Sequence, residues 1–187
     1  MPNWCMNNVD ITAKTAEQME LLQRIVERNK DEQGVFDIIR PLPEALRDTV
    51  KGTGEELQEV FVDGFNNWYD WQVAHWGTKW DVDPDSQEFD GETLSLSFDS
   101  AWSPPIEIYE YLVEQGFAVS ANYYEQGMSF AGEWVNGDDF CIDDVIALAR
   151  QDAETLSVQE YDILAMFDIW SEVAEYDEEE LYADDGA

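Results

Sequence analysis

The charge of this chain is the property that most narrows what it can fold into. It carries 43 Asp and Glu residues against 9 Lys and Arg, which gives a formal net charge of −34. Acidic chains are often disordered, but disordered chains are poor in aromatic residues. Here aromatic residues make up 13% of the sequence and hydrophobic residues 44%, with eight Trp. The sequence therefore predicts a folded core, and its length of 187 residues predicts a single domain with an appendage.

The negative charge is concentrated toward the C-terminus. The net charge is −3 over residues 1–50, −10 over 51–100, −8 over 101–150 and −13 over 151–187. Three explanations are open: a surface or tail that maintains solubility, an adaptation to high salt, and a surface that imitates nucleic acid. A high-salt protein should be acidic over its whole surface, and the nearly balanced first quarter argues against that explanation.

The composition also limits the partners and the compartment. A protein that binds DNA needs Lys and Arg to neutralise phosphates, and an anionic membrane surface repels acidic proteins, so we expect neither direct nucleic-acid binding nor membrane binding. The first eight residues have no basic region and no long apolar run, so they do not form a signal peptide. Two Cys, at positions 5 and 141, fit reduced thiols better than a disulfide framework. We expect a cytoplasmic protein.

The hydrophobic pattern predicts an α+β fold, namely a ferredoxin-like antiparallel sheet with helices on one face. Alternation predicts strands at 8–13, 79–83, 94–98, 117–124 and 128–135. Helical spacing and capping signals predict helices at 16–29, 55–61, 66–75, 104–115 and 142–153, and another that begins at Ser157. We expect the ferredoxin-like domain to span 1–140, with a helical insertion near 41–77. An acidic helical extension would follow at 141–187, with disorder beyond Tyr176.

No pattern of catalytic or cofactor-binding residues stands out. The single His, His75, lies among Trp residues, as a structural His does, and no motif links it to either Cys. Asp81, Asp83, Asp85 and Glu92 have the spacing of calcium-loop ligands, but Ser86 stands where that loop needs Gly. We therefore expect a protein that is not an enzyme and that has no cofactor and no metal site.

The acidic residues themselves are the candidate binding site. Helical carboxylates three or four residues apart lie about 5–6 Å from one another, close enough to imitate a row of phosphates. Two acidic segments, 81–92 and 160–180, are predicted to contact Lys and Arg of a partner. The residues are Asp81, Asp83, Asp85, Glu88, Asp90, Glu92, Glu160, Asp168, Glu172, Glu175, Asp177, Glu178, Glu179 and Glu180.

An apolar stripe in the tail offers a different binding mode. Ile163, Met166, Phe167, Trp170 and Val173 recur at helical spacing. This stripe would suit an accessory protein of phage or plasmid DNA processing that binds its partner through an apolar helix face. Short apolar runs in the tail are also compatible with a homodimer.

Several motifs resemble those of the YubB-type ferredoxin-like family, which occurs on bacteriophages, plasmids and integrative elements. They are MPNWC at 1–5, WYDW at 68–71, HWGTKWD at 75–81, FDSAWSPP at 98–105 and YYEQGMSFAG at 123–132. The resemblance covers about residues 1–136 and implies a ferredoxin-like domain from a mobile element, with no activity, cofactor or catalytic residue to transfer. Mobile elements must survive restriction and CRISPR nucleases. A DNA-like protein that occupies such a host nuclease is therefore the leading hypothesis.

Overall fold

One antiparallel sheet of six strands organises the fold. In this computed structural model, residues 3–51 and 60–184 are described, with side chains described through Asp177. The strands are β1 (Trp4–Thr12), β2 (Ser86–Phe89), β3 (Thr93–Ala101), β4 (Ala118–Glu125), β5 (Phe130–Val135) and β6 (Asp138–Ile142). Their order in the sheet is β2-β3-β1-β4-β5-β6, and every neighbouring pair is antiparallel.

Eight helices flank the sheet in the described ranges. They are α1 (Ala16–Glu27), α2 (Val35–Ile39), α3 (Glu44–Arg47), α4 (Trp68–Trp76), α5 (Ile106–Glu114), α6 (Val145–Ala149), α7 (Val158–Met166) and α8 (Ile169–Asp184). Local signals fix several of their starts. A capping box between Thr15 and Gln18 begins α1, and another between Ser157 and Glu160 begins α7. No helix in the described parts of the chain is long and apolar enough to cross a bilayer.

The main core lies on one face of the sheet. In β1 the buried side chains of Cys5, Asn7, Val9 and Ile11 alternate with the exposed or half-buried ones of its other positions. Helices α1, α2, α4 and α5 pack over that face, and Leu22, Trp76, Ile108 and Leu112 are among their buried residues.

A smaller second core lies on the opposite face, toward β4, β5 and β6. Tyr124 of β4 and Ala131 of β5 contribute to it from the sheet. Val145, Ile163, Leu164, Ile169 and Val173 contribute from α6, α7 and α8. Among the described residues, β1, β2 and β3 contribute nothing to this core. The C-terminal helices therefore cover only part of this second face.

The structure confirms an α+β fold with an antiparallel sheet and revises several elements. The prediction of a strand at 79–83 is wrong, since the strand that pairs with β3 is β2, from Ser86 to Phe89. Pro84 intervenes, and both carboxylate oxygens of Asp81 accept backbone N–H groups from α2. The predicted helix at 142–153 consists of the end of β6, the short α6 and a 3-10 turn over Ala153–Thr155.

The C-terminal part of the chain also differs from expectation. Helix α8 continues to Asp184, past Tyr176, where disorder was predicted. The predicted domain boundary at 140/141 lies within β6, which pairs with β5 in the same sheet. The predicted helix at 55–61 lies largely within residues 52–59, which are outside the described ranges.

Candidate partner-binding face

The uncovered part of the sheet's second face forms a groove beneath the junction of α7 and α8. Three adjoining concavities of about 330, 440 and 370 Å³ make up this groove. Met166, at the end of α7, borders all three, while Asn8 and Ser97 line two of them. We call this feature the sheet groove.

Small polar side chains form the floor of the sheet groove. Strand register aligns Ser86, Ser97, Asn8, Asn122 and Glu133 in one row across five strands. Neighbouring members of such a row are separated by about 4.8 Å at the backbone. The hydroxyl of Ser97 donates to Asn8 Oδ1 over 2.8 Å. The floor is therefore shallow and rich in hydrogen-bonding groups.

Carboxylates border the floor on β1, β2, β3 and β5, just before β2, on α7 and at the helix junction. The seven that line the groove are Asp10, Asp85, Glu88, Asp99, Glu133, Asp162 and Asp168. The residues that line it include no Lys, Arg or His. Three of these carboxylates accept hydrogen bonds from neighbouring side chains: Asp10 from Ser95, Glu133 from Gln159 and Asp168 from Ser171. The groove is therefore strongly electronegative.

The pKa of Asp99 shows the effect of placing several carboxylates in one groove. Burial raises the pKa of Asp99 above its ordinary value, and the negative charge of Asp85 raises it further. Asp85 precedes β2, and its backbone N–H donates to Ser97 of β3, which places it at the sheet edge close to Asp99. A cation in the groove would relieve this repulsion.

The junction of α7 and α8 places the last acid over the groove. Asp168 adopts φ of 51°, in the left-handed region, and so breaks the helical path between Met166 and Ile169. Its carboxylate accepts a hydrogen bond from the Ser171 hydroxyl. Phe167 packs against Tyr124 of the sheet, with ring centroids 5.7 Å apart. These contacts hold the junction against the sheet.

The structure brings together three of the fourteen predicted partner-binding residues. Asp85 and Glu88 from the first acidic segment and Asp168 from the second line the same groove, although Glu88 and Asp168 are 80 positions apart in the sequence. The fold therefore brings the two segments to one surface.

Asp81 requires a correction. Its carboxylate faces inward rather than toward a partner, and it accepts backbone N–H groups from Phe36, Asp37 and Val82 at 2.7, 2.9 and 2.8 Å. Burial raises its pKa, and these three bonds oppose the increase. The role of Asp81 is therefore to hold the chain against the start of α2.

Other predicted residues are engaged within the chain. Asp83 forms ion pairs with Arg28 and Lys30, and Asp177 forms one with Arg150. Glu172 accepts hydrogen bonds from the Tyr124 hydroxyl and the Gln126 amide at 2.8 and 2.7 Å, which ties α8 to the sheet.

Four further predicted residues do not line the sheet groove: Asp90, Glu92, Glu160 and Glu175. Glu160 completes the capping box of α7, and Asp90 accepts the backbone N–H groups of Glu92 and Thr93 in the β2–β3 turn. Hydrogen bonds from Ser157 lower the pKa of Glu160, and those from the turn lower the pKa of Asp90. Glu92 and Glu175 are exposed. Glu178, Glu179 and Glu180 belong to α8, and their side chains are outside the described set.

Sequence reasoning missed four of the groove acids: Asp10, Asp99, Glu133 and Asp162. The signal for the first two was present, because Asp10 alternates with Val9 and Ile11 and Asp99 follows the buried Phe98. The alternation predicted Asp10 as a polar position of a half-buried strand, whereas Asp99 directly follows the predicted strand at 94–98. Only the strand order shows that they share one face with Glu88 and Asp168.

Among the described residues, neither the acids nor His75 belong to a cluster of metal ligands. No group of three or more His, Cys, Asp or Glu side chains among them is arranged to hold a metal ion. His75 stacks on Trp71 with ring centroids 4.2 Å apart, and its Nδ1 lies 2.8 Å from the Trp71 carbonyl oxygen. Those contacts give His75 a packing role.

Most residues of the apolar stripe in the tail are packed inside the fold. Ile163 and Val173 are buried in the second core, and Phe167 packs on Tyr124. Trp170 is half-buried, and its ring lies 5.0 Å from that of Tyr161. Met166 is the member of the stripe that remains exposed, and it borders the sheet groove.

Fold and site together describe an α+β protein whose sheet carries an acidic groove. No protein-family model matches the chain, and no curated protein or solved structure shows significant similarity to it.

Proposed function

We propose that this chain is a non-enzymatic DNA mimic from a mobile element. It inhibits a nucleic-acid-binding defence protein of the host cell, a restriction or CRISPR nuclease, by occupying the surface that binds DNA. The observation that carries this proposal is the sheet groove, where seven carboxylates and no cation line one face. Nuclease surfaces that bind DNA present Lys and Arg to phosphates, so they complement such a face.

Rigidity supports the proposal over a role in solubility alone. Five of the seven groove acids lie on strands or immediately before one, where the main core or the sheet hydrogen bonds fix the backbone. A flexible acidic tail loses conformational entropy when binding orders its charged side chains. A preformed row of charges loses much less.

The cations of the chain do little to offset this charge. Five of them already form ion pairs with carboxylates of the same chain: Arg28, Lys30, Arg47, Lys51 and Arg150. None of these five lines the groove. A cationic partner would therefore meet an almost purely negative surface there.

We further propose that strands β1 to β4 with helices α1 and α5 form a ferredoxin-like domain of the YubB type. The order β1-α1-β2-β3-α5-β4, interrupted by α2, α3 and α4 after α1, supports this assignment. So does the arrangement β2-β3-β1-β4 of the first four strands in the sheet. A protein encoded on a mobile element would encounter host nucleases and could act as a decoy for them.

The test is affinity capture from a nuclease-treated bacterial lysate with the full chain as bait, followed by a salt gradient. We expect a DNA-binding nuclease that elutes at moderate salt and that added duplex DNA displaces, since both ligands would compete for one basic surface. The purified nuclease should then cleave DNA more slowly as the protein is added. A variant with Asp85, Asp99 and Asp168 changed to Asn should inhibit less.

A control variant separates the groove from overall charge. Glu20→Gln, Glu110→Gln and Glu114→Gln remove three exposed acids from α1 and α5, which cover the opposite face of the sheet. This variant should inhibit as well as the wild type. A captured protein that duplex DNA does not displace, or a nuclease whose cleavage rate is unaffected, would overturn the proposal.

A further inference from the structure

We propose that the sheet groove binds an extended, arginine-bearing segment of the partner protein. This inference rests on the proposed function and deepens it by naming the element that the groove recognises. The occupant lies across β2, β3, β1 and β4, beneath Met166, and its guanidinium groups face the groove acids.

The first argument is that this part of the sheet is uncovered. The C-terminal helices bury their apolar residues against β4, β5 and β6, and the strands β1, β2 and β3 contribute no residue to that second core in the described ranges. Polar side chains on these strands, including Ser95, Ser97 and Asn8, are half-buried and line the groove. A sheet face of this kind presents a recess with hydrogen-bonding groups rather than an apolar surface.

The second argument is charge complementarity. Asp85, Asp99 and Asp168 line one concavity, Asp10 and Glu88 the adjoining one, and Glu133 and Asp162 a third. All three share Met166 at their border. The charge is distributed along the recess, so a ligand with several cations spaced along its length fits it better than a single compact cation.

The third argument concerns the form of the cation. Among the described residues no three acids converge as metal ligands do, which disfavours a divalent ion. The floor offers Ser and Asn oxygens beside carboxylates. Arginine presents five N–H donors in a planar fork that can contact a carboxylate and a neighbouring oxygen together, whereas lysine presents a single charged centre. The mixed lining therefore favours arginine.

The raised pKa of Asp99 agrees with this geometry. Burial and the nearby Asp85 carboxylate both disfavour its charged form in the unbound chain. A guanidinium placed between the two acids would restore the charged form and gain that interaction on binding.

The experiment uses the full chain and two synthetic peptides. In one peptide arginine alternates with serine, so that an extended conformation places every guanidinium on one side. In the other peptide lysine replaces each arginine. Binding of each is measured by calorimetry at low and at physiological ionic strength, and amide NMR shifts locate the contact.

We expect the arginine peptide to bind more tightly than the lysine peptide and to shift the amides of Asn8, Ser97 and Asn122. The variant Asp85→Asn, Asp99→Asn, Asp168→Asn should bind it about tenfold more weakly, since several moderate ion pairs are lost together. Asn keeps the shape of Asp and tolerates the left-handed backbone at position 168. The variant Glu20→Gln, Glu110→Gln, Glu114→Gln removes the same charge and should change affinity less than about twofold.

Three outcomes would overturn the inference. An equal loss of affinity for the arginine peptide in both variants would mean that the peptide is attracted by the net charge of the chain and does not bind in the groove. Equal affinity for the lysine peptide would remove the arginine preference, and displacement of the peptide by stoichiometric magnesium at constant ionic strength would indicate a metal site. The peptide assay needs no nuclease. A failure of this inference is therefore distinct from a failure of the proposed function, which the DNA-displacement and cleavage assays test on their own.

Discussion

Replacing Asp81 by Ala tests the conclusion that this acid stabilises the fold instead of contacting a partner. Its two carboxylate oxygens accept the N–H groups of Phe36, Asp37 and Val82 at 2.7 to 2.9 Å. Gly34 lies so close to this carboxylate that a Cβ there would collide with it. The substitution therefore removes the side-chain hydrogen bonds that join the segment before β2 to the start of α2 and leaves the backbone bond from Val35 to Val82.

The magnitude follows from three opposing effects. Hydrogen bonds to a charged group contribute about 1.5–3 kcal/mol each, and unpaired buried donors cost about 1–3 kcal/mol each. The raised pKa of Asp81 shows that burial of the charged carboxylate offsets part of this gain. We expect a net loss of about 3 kcal/mol for Asp81→Ala. Asp81→Asn keeps an acceptor oxygen and should lose about half as much.

Urea denaturation followed by Trp fluorescence measures this loss, and calorimetry should show a melting temperature lower by about 6–12 °C. Asp85→Ala, four residues further along and exposed, is the matched control and should change stability by less than about 0.5 kcal/mol. Because burial raises the pKa of Asp81, its folded form holds the proton more tightly than its unfolded form. The advantage of the wild type over the variant should therefore shrink as the pH rises from about 3.9 through the folded pKa. If both Ala variants have the same stability, the structural role of Asp81 is refuted.

Three further predictions concern the groove and the second core. Asp85→Asn should lower the pKa of Asp99, because it removes the neighbouring negative charge while the burial of Asp99 remains. NMR titration of the Asp99 carboxyl measures this pKa, and an unchanged value would contradict the prediction. Tyr124→Phe removes the 2.8 Å hydrogen bond to Glu172 and should destabilise the protein by about 1 kcal/mol. Amide hydrogen exchange in α8 should become faster, and unchanged exchange would mean that this hydrogen bond does not hold α8 against the sheet. Ile163→Ala opens a cavity in the second core, where Ile163 is 1% exposed, and should cost about 3 kcal/mol in urea unfolding. A loss below about 1 kcal/mol would mean that the C-terminal helices contribute little to the stability of the sheet.

The alternating strands were accessible from the sequence because their period is local. Val9, Ile11 and Ala13 alternate with polar residues, and the structure places them in or next to β1 with their side chains in the main core. The capping box at Ser157 and Glu160 was readable for the same reason, since it depends on residues three positions apart. Asn136 and Gly137, both with positive φ, form the turn between β5 and β6, and Asn-Gly is a turn signal of the same local kind.

Elements that depend on distant partners were misread. The segment 79–83 has a strand-like alternation, but its backbone is held by Asp81 against α2, more than 40 residues earlier in the chain. Strand β6 was not predicted, because its short sequence acquires strand structure only through pairing with β5. The tail beyond Tyr176 was expected to be disordered from its charge alone, yet α8 continues through it from an N-terminal half anchored by the buried Ile169 and Val173.

The sequence by itself determined that this protein has a real core, a strongly negative surface and two acidic segments, since composition and local spacing encode all three. Only the tertiary structure decided which acids act together. Asp85, Glu88 and Asp168 meet in one groove with Asp10 and Asp99 because strand order and the path of the C-terminal helices bring them together. The same folding turned Asp81 inward and paired Asp83 with Arg28, because satisfying buried N–H groups and cations depends on neighbours that are remote in sequence.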